Sequence, residues 1–238
     1  MKIRAKKCFV ITGLCILGIV FFMAILNIKV SSRQGINFVA HTIKMPLYIK
    51  IIEFFDRDYH YKELVENICQ GCNSDQNKVL ALFEWTHQNI KRDIPEGWPI
   101  IDDHVWHIIV RGYGARDQFS DVFTTLCNYA GVDAFYSWVY TQDQKQRIPL
   151  SFVRINRKWA VFDPYNGIYF KVKKDKLADV EAIRSGSGWT IEALNKKPTI
   201  DYAIYLNNLS PLKEMGLGRT NVQSPLNRLR YEIKKCLK

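Results

Sequence analysis

Few side chains in this sequence stand at spacings that support chemistry. Cys69 and Cys72 form a Cys-x-x-Cys pair, a spacing used for metal binding, thiol–disulfide exchange or a short local disulfide. A zinc site needs two further ligands, and the chain has no second Cys-x-x-Cys. A thioredoxin-like site follows a strand, whereas this pair ends a helix-like stretch. In an oxidising compartment a local Cys69–Cys72 disulfide is the simpler expectation. Asp102, Asp103, His104 and His107 make a second cluster. His104 and His107 are weak metal candidates that share an ion only if their segment is helical. No flanking signature accompanies them, and ordinary loop polarity is the plainer reading. Asn208-Leu209-Ser210 matches a glycosylation acceptor, a triplet that also arises by chance.

The elements that must position these groups follow from periodicity. Apolar residues from Met45 to Cys69 recur at helical spacing, and Ser74 offers an N-cap to a second helix over 75–90. Residues 92–111 read as an irregular loop. Gly112 and Gly114 then precede a helix in which Phe119, Val122, Phe123, Leu126, Cys127 and Ala130 form one apolar stripe, stopped by Gly131. Cys127 lies in the middle of that stripe and is expected as buried packing. Strands are predicted over Ala134–Tyr140, Leu150–Ile155 and Lys158–Phe162, the last two joined through Asn156-Arg157 as a hairpin, with a further strand over Ile168–Val172. Helices first and an antiparallel sheet after them make an α+β domain. Beyond residue 173 the pattern weakens until Ser224-Pro225, which starts a last helix with Leu226, Leu229, Ile233 and Leu237 on one side and basic residues mostly elsewhere.

Two stretches carry a family resemblance. The first is Gly112-Tyr113-Gly114-Ala115-Arg116-Asp117-Gln118-Phe119, running into the core helix that ends in Tyr129-Ala130-Gly131-Val132. The second is Leu150-Ser151-Phe152-Val153-Arg154-Ile155, a hairpin, and Trp159-Ala160-Val161-Phe162-Asp163-Pro164. Together, over roughly residues 75–170, they resemble the core of the transglutaminase-like superfamily, which has a papain-like fold. The resemblance implies N-terminal helices packed on an antiparallel sheet. It implies a cysteine at the helix N-terminus, where the helix dipole stabilises a thiolate. A histidine on a neighbouring strand then takes the proton, and an aspartate on the next strand orients that histidine.

Carried onto this chain, the resemblance places the nucleophile position at Arg116, the histidine position at Leu150 and the aspartate position at Asp163. A guanidinium that stays protonated is no nucleophile, and Leu150 accepts no proton. All five histidines precede Arg116. Cys127 lies about three turns inside the helix, and Ser120 has no base to activate it. No catalytic residue is therefore assigned, and no cofactor is implied. Arg116 and Asp163 become ligand-binding candidates, expected to face one groove, in direct contact or bridged by one water or anion.

The N-terminus sets the compartment. Lys2, Arg4, Lys6 and Lys7 precede an uncharged run from Cys8 to Ile28, long enough as a helix to cross a hydrocarbon core of roughly 30 Å. The basic flank stays inside, so the expectation is a single-pass membrane protein with its C-terminal domain extracytoplasmic. The 238 residues then divide into an anchor (1–30), a stalk and helical lead-in (31–72), a transglutaminase-like core (73–173) and a C-terminal extension with a basic helix (174–238). A net charge of +11 favours anionic partners, and no nucleic-acid motif is present. The function expected is that of a pseudoenzyme, a binding or scaffolding module in the cell envelope with a protein, glycan or other anionic partner. The alternative is a protease-like or acyl-transfer enzyme, or a metal-dependent hydrolase, working through non-standard residues.

Overall fold

The computed structural model describes residues 2–36, 39–93, 96, 104–173, 176–186, 188–195, 200–207, 209, 212 and 224–237. Its first helix, α1, runs over Lys2–Leu26. This is not the 8–28 span expected. Among the described residues no helix is long and apolar enough to cross a membrane.

The expected stalk is instead a β-hairpin. Strands β1 (Lys29–Ile36) and β2 (Val39–Pro46) pair antiparallel from Lys29↔Pro46 to Ile36↔Val39. Polar, Gly-containing sequence hid this ladder, because its strands lack a clean apolar alternation. Helix α2 (Leu47–Ile68) then buries Asp58, Tyr61 and Val65. Helix α3 (Asp75–Asn89) starts where Ser74 accepts from the Asn77 amide at 3.2 Å.

The approach loop also contains structure. Helix α4 (Val105–Arg111) is capped by His104, whose Nδ1 accepts from the Trp106 amide at 3.2 Å, and Gly112 ends it in the left-handed region at φ 71°. Helix α5 (Arg116–Tyr129) is buried along much of its length. Gln118 Oε1 accepts from the Ala115 amide at 2.9 Å and from Arg111 Nη2 at 2.8 Å, which fixes the start of α5. At the other end, Asn128 clasps the Ala134 carbonyl at 2.8 Å and its amide at 3.2 Å, tying the helix to the first strand of the main sheet.

That sheet comprises β3 (Ala134–Tyr140), β4 (Arg147–Ile155), β5 (Lys158–Asp163), β6 (Ile168–Lys173), β7 (Lys176–Leu177) and β8 (Thr190–Ala193). The order is β3-β4-β5-β6-β7, with β8 also on β6, and every pairing is antiparallel. Asn156 and Arg157 take φ 50° and 64°, the two left-handed positions that a tight hairpin turn demands.

Both faces of the sheet are covered. Val153, Ile155, Ala160 and Phe162 pack with the helical residues Phe83, Phe119, Phe123 and Leu126. On the opposite face Ile148, Leu150, Phe152, Val161, Ile168 and Phe170 pack with Ile183, Tyr202 and Leu206. The domain therefore does not end at residue 173. Helices α6 (Val180–Arg184) and α7 (Ala203–Leu206) supply part of the second core. The last helix, α8 (Pro225–Cys236), starts at the proline expected.

Candidate functional site

The site is built on the start of α5 and the end of β5. Arg116 is the first residue of α5, and Asp163 is the last of β5. The structure brings them together, with Arg116 Nη2 donating to Asp163 Oδ2 at 3.3 Å. The carboxylate is 0% exposed and the arginine side chain 27%.

Asp163 has further donors. Tyr202 donates its hydroxyl to Oδ2 at 2.7 Å, Asn166 Nδ2 donates to Oδ2 at 2.8 Å, and the Asn166 amide donates to Oδ1 at 3.1 Å. Asn166 also donates to the Tyr202 hydroxyl oxygen at 3.2 Å. A buried charge is tolerable only when paired and hydrogen-bonded, and this network meets that condition. Burial first, and then the Asp163 carboxylate, push the Tyr202 phenol far above its ordinary pKa, so it stays a donor.

Leu150 is fully buried in the second core. It follows the register pair Ser151↔Phe162 on the Asp163 side, so it occupies the lattice position beside the aspartate. Its neighbours on the same face, Ile148 and Phe152, are buried and apolar as well. A register offset of two in either direction therefore still provides no proton acceptor. Cys127 is 0% exposed, and burial, then Cys69, raise its thiol pKa well above normal. Ser120 is buried, and its hydroxyl has no hydrogen-bond partner among the described residues.

Like Tyr202 and Asn166, a further residue near the site was not foreseen from the sequence. His87, on α3, lies over the turn after Asp163: its Nδ1 pairs with the Pro164 carbonyl at 3.0 Å and its Nε2 with Asn195 Nδ2 at 2.9 Å. A proton on Nδ1 and a lone pair on Nε2 satisfy both contacts. Burial lowers its pKa, with the Pro164 carbonyl opposing. Both ring nitrogens are thus engaged, and His87 clamps the turn. Gly167 closes that turn at φ 65°, and a Cβ there would lie 2.8 Å from the His87 ring. Tyr165, within the turn, packs edge-on against Phe119 and lies beneath two guanidinium groups, Arg92 at 5.0 Å and Arg116 at 5.5 Å from its centroid.

The remaining sequence candidates lie elsewhere. His104 and His107 have ring centroids 5.7 Å apart. His104 Nδ1 is spent on the α4 cap, and burial, then Arg57 and His107, lower its pKa to about 3. Among the described residues no group of three metal-ligating side chains exists. Asp102, Asp103, Asn208 and Ser210 lie outside the described residues. Cys69 and Cys72 are free thiols, so the candidate disulfide is not formed in this structure. The Cys72 amide donates to the Cys69 carbonyl at 3.0 Å, and burial, then Cys72, raise the Cys69 pKa. A surface cavity of about 630 Å³, lined by Thr141, Asp143, Gln146, Asp201 and Ile204 among others, does not include Arg116 or Asp163.

The model of the transglutaminase-like superfamily matches residues 62–191. Among solved structures, the chain is similar to a cysteine protease candidate of Cytophaga hutchinsonii, with 18% identity, a TM-score of 0.39, and coverage of 60% of this chain and 51% of that one. A transglutaminase crystal structure aligns with 16% identity, a TM-score of 0.35 and coverage of 56% and 43%. A protease candidate of Parabacteroides distasonis aligns with 11% identity, a TM-score of 0.37 and coverage of 68% and 38%. The chain spans about half or less of the length of these structures. No curated protein matches it.

Proposed function

Because the chain belongs to the transglutaminase-like superfamily, we propose that it uses this fold as a binding or scaffolding module without the thiol chemistry. The observation that carries this reading is the ion pair of Arg116 with Asp163. The side chain at the nucleophile position is a permanent cation, and it is engaged by the aspartate that would otherwise orient a histidine. The apolar run Ile148, Leu150 and Phe152 beside that aspartate supports the same reading.

The module is proposed to work at a membrane, with α1 as its anchor and the domain on the extracytoplasmic side. Ile11, Leu14, Leu17, Phe21 and Met23 of α1 are exposed, and Lys2, Arg4, Lys6 and Lys7 precede them in the sequence. An envelope glycan or protein of anionic character is the partner that the net charge of +11 favours.

Thiol labelling tests the central claim. Native protein treated with a small alkylating probe should remain unlabelled at Cys127 and form no thioester with glutamine-containing peptides. Stoichiometric labelling of Cys127 in folded protein, with turnover of an acyl donor, would make the chain an enzyme.

A further inference from the structure

Helix α8 leaves its apolar stripe open. Leu226, Leu229, Ile233 and Leu237 recur at helical spacing and are 70, 57, 49 and 81% exposed. Arg228, Arg230 and Lys234 are exposed on the same helix. The helix lies against α2, as does α1. Through its N-terminal half α2 exposes a stripe of its own, Ile51, Ile52, Phe55 and Tyr59, while Tyr61 and Val65 enter the core. Contact between the two helices therefore covers neither stripe.

We infer that α8 and the first half of α2 form an in-plane docking face for a bilayer that carries anionic lipid. An amphipathic helix with cations beside an apolar stripe suits the boundary between headgroups and acyl chains. Leucine and isoleucine enter that boundary, and the arginine and lysine stems reach back to the headgroups. Helix α1, whose apolar side chains are also exposed, contacts α2 as well. A second copy of this chain is the poorer occupant, because a two-fold contact through the stripe would bring Arg230 and Lys234, which flank it, close to the same cations of the other copy. The inference adds to the reading of α1 as an anchor, and its test separates the two.

The full chain is reconstituted with vesicles of phosphatidylcholine and with vesicles in which part of that lipid is phosphatidylglycerol. Flotation reports attachment, and amide hydrogen exchange reports protection over residues 225–236. The expected result is flotation with both lipids, and exchange in α8 at least about ten-fold slower with the anionic vesicles, relieved by added salt. Leu229→Ser with Ile233→Ser should abolish the slowing. Arg230→Gln with Lys234→Gln, which keeps the stripe, should remove its dependence on anionic lipid. Floated protein with equally fast α8 exchange in both lipids overturns the inference and leaves the anchor standing. Flotation with anionic vesicles alone does the reverse. No flotation with either overturns both. Slowing that follows the protein-to-lipid ratio rather than lipid charge assigns the face to a second copy.

Discussion

The Tyr202 hydroxyl donates to Asp163 Oδ2 at 2.7 Å, across 39 residues of chain. Asp163 lies two residues beyond Val161, and Val161 and Tyr202 both belong to the core on the second face of the sheet. With Leu150 at the neighbouring strand position, the aspartate is thus satisfied from that face by a tyrosine and from the turn by Asn166. Tyr202→Phe should lower stability by about 1.5–3 kcal/mol, the range for a hydrogen bond to a charged group, seen as a lower urea midpoint with an unchanged slope.

Arg116→Ala removes one donor while Tyr202 and Asn166 remain. Breaking a wholly buried pair costs roughly 3–5 kcal/mol. The partial exposure of Arg116 and the surviving donors reduce the expected loss to about 1–2 kcal/mol. Arg116→Cys should lose a similar amount and gain no acyl-transfer activity, because Leu150 still supplies no base. Both variants are checked by denaturation, the second also by a thioester assay.

Gly167→Ala meets two obstacles at once, the positive φ of 65° and the His87 ring at 2.8 Å. Left-handed strain alone costs about 1 kcal/mol, and the clash adds to it. Combining the change with His87→Ala should relieve the clash and leave the strain. The measured coupling in a double-mutant cycle should therefore be favourable and at least about 0.5 kcal/mol.

Acid should destabilise the domain through its histidines. His104 has its pKa lowered to about 3 by burial, with Arg57 and His107 adding to the effect, and the pKa of His87 is also lowered. For a base whose folded pKa lies below the unfolded value of about 6.5, the stabilisation is complete above the unfolded pKa. It is lost as the pH falls through the folded pKa. The loss due to His104 should therefore run from about pH 6.5 down to about 3. Protonation also turns the acceptor of the α4 cap into a donor. His104→Asn, which caps without titrating, should flatten the stability profile over that range.

A reporter fused after Lys238 tests the membrane reading. Activity confined to the extracytoplasmic side is the expected outcome, and cytoplasmic activity would overturn the proposed orientation.

Elements with a strong period were legible in the sequence: α2, α3 and α5, and the strands from Ala134 to Lys173 with their hairpin at Asn156-Arg157. Helix α4 was missed because a seven-residue helix offers barely two turns of pattern. Strands β7 and β8 were missed because two and four residues carry almost no alternation. At the site, Arg116, Leu150 and Asp163 could be named through the family resemblance. Tyr202, Asn166 and His87 could not, since what selects them is a contact made only in the folded domain: Tyr202 reaches Asp163 from the second face of the sheet, and His87 reaches the turn from α3. Asn166 alone left a hint, sitting three residues after Asp163 where a polar side chain closes a turn.

The hairpin between α1 and α2 changes how the domain is hung. Its ladder closes at Lys29↔Pro46, and the Leu47 amide donates to the Ile28 carbonyl at 2.9 Å. The chain leaves α1, travels out along β1, and returns along β2 to its starting point. Contour length spent in this excursion adds nothing to the standoff between α1 and α2. Residues inserted at the far end, beyond Ile36 and before Val39, would lengthen a side arm and leave the leash unchanged. A short flexible insertion between Pro46 and Leu47 would break the junction and free the domain to wander.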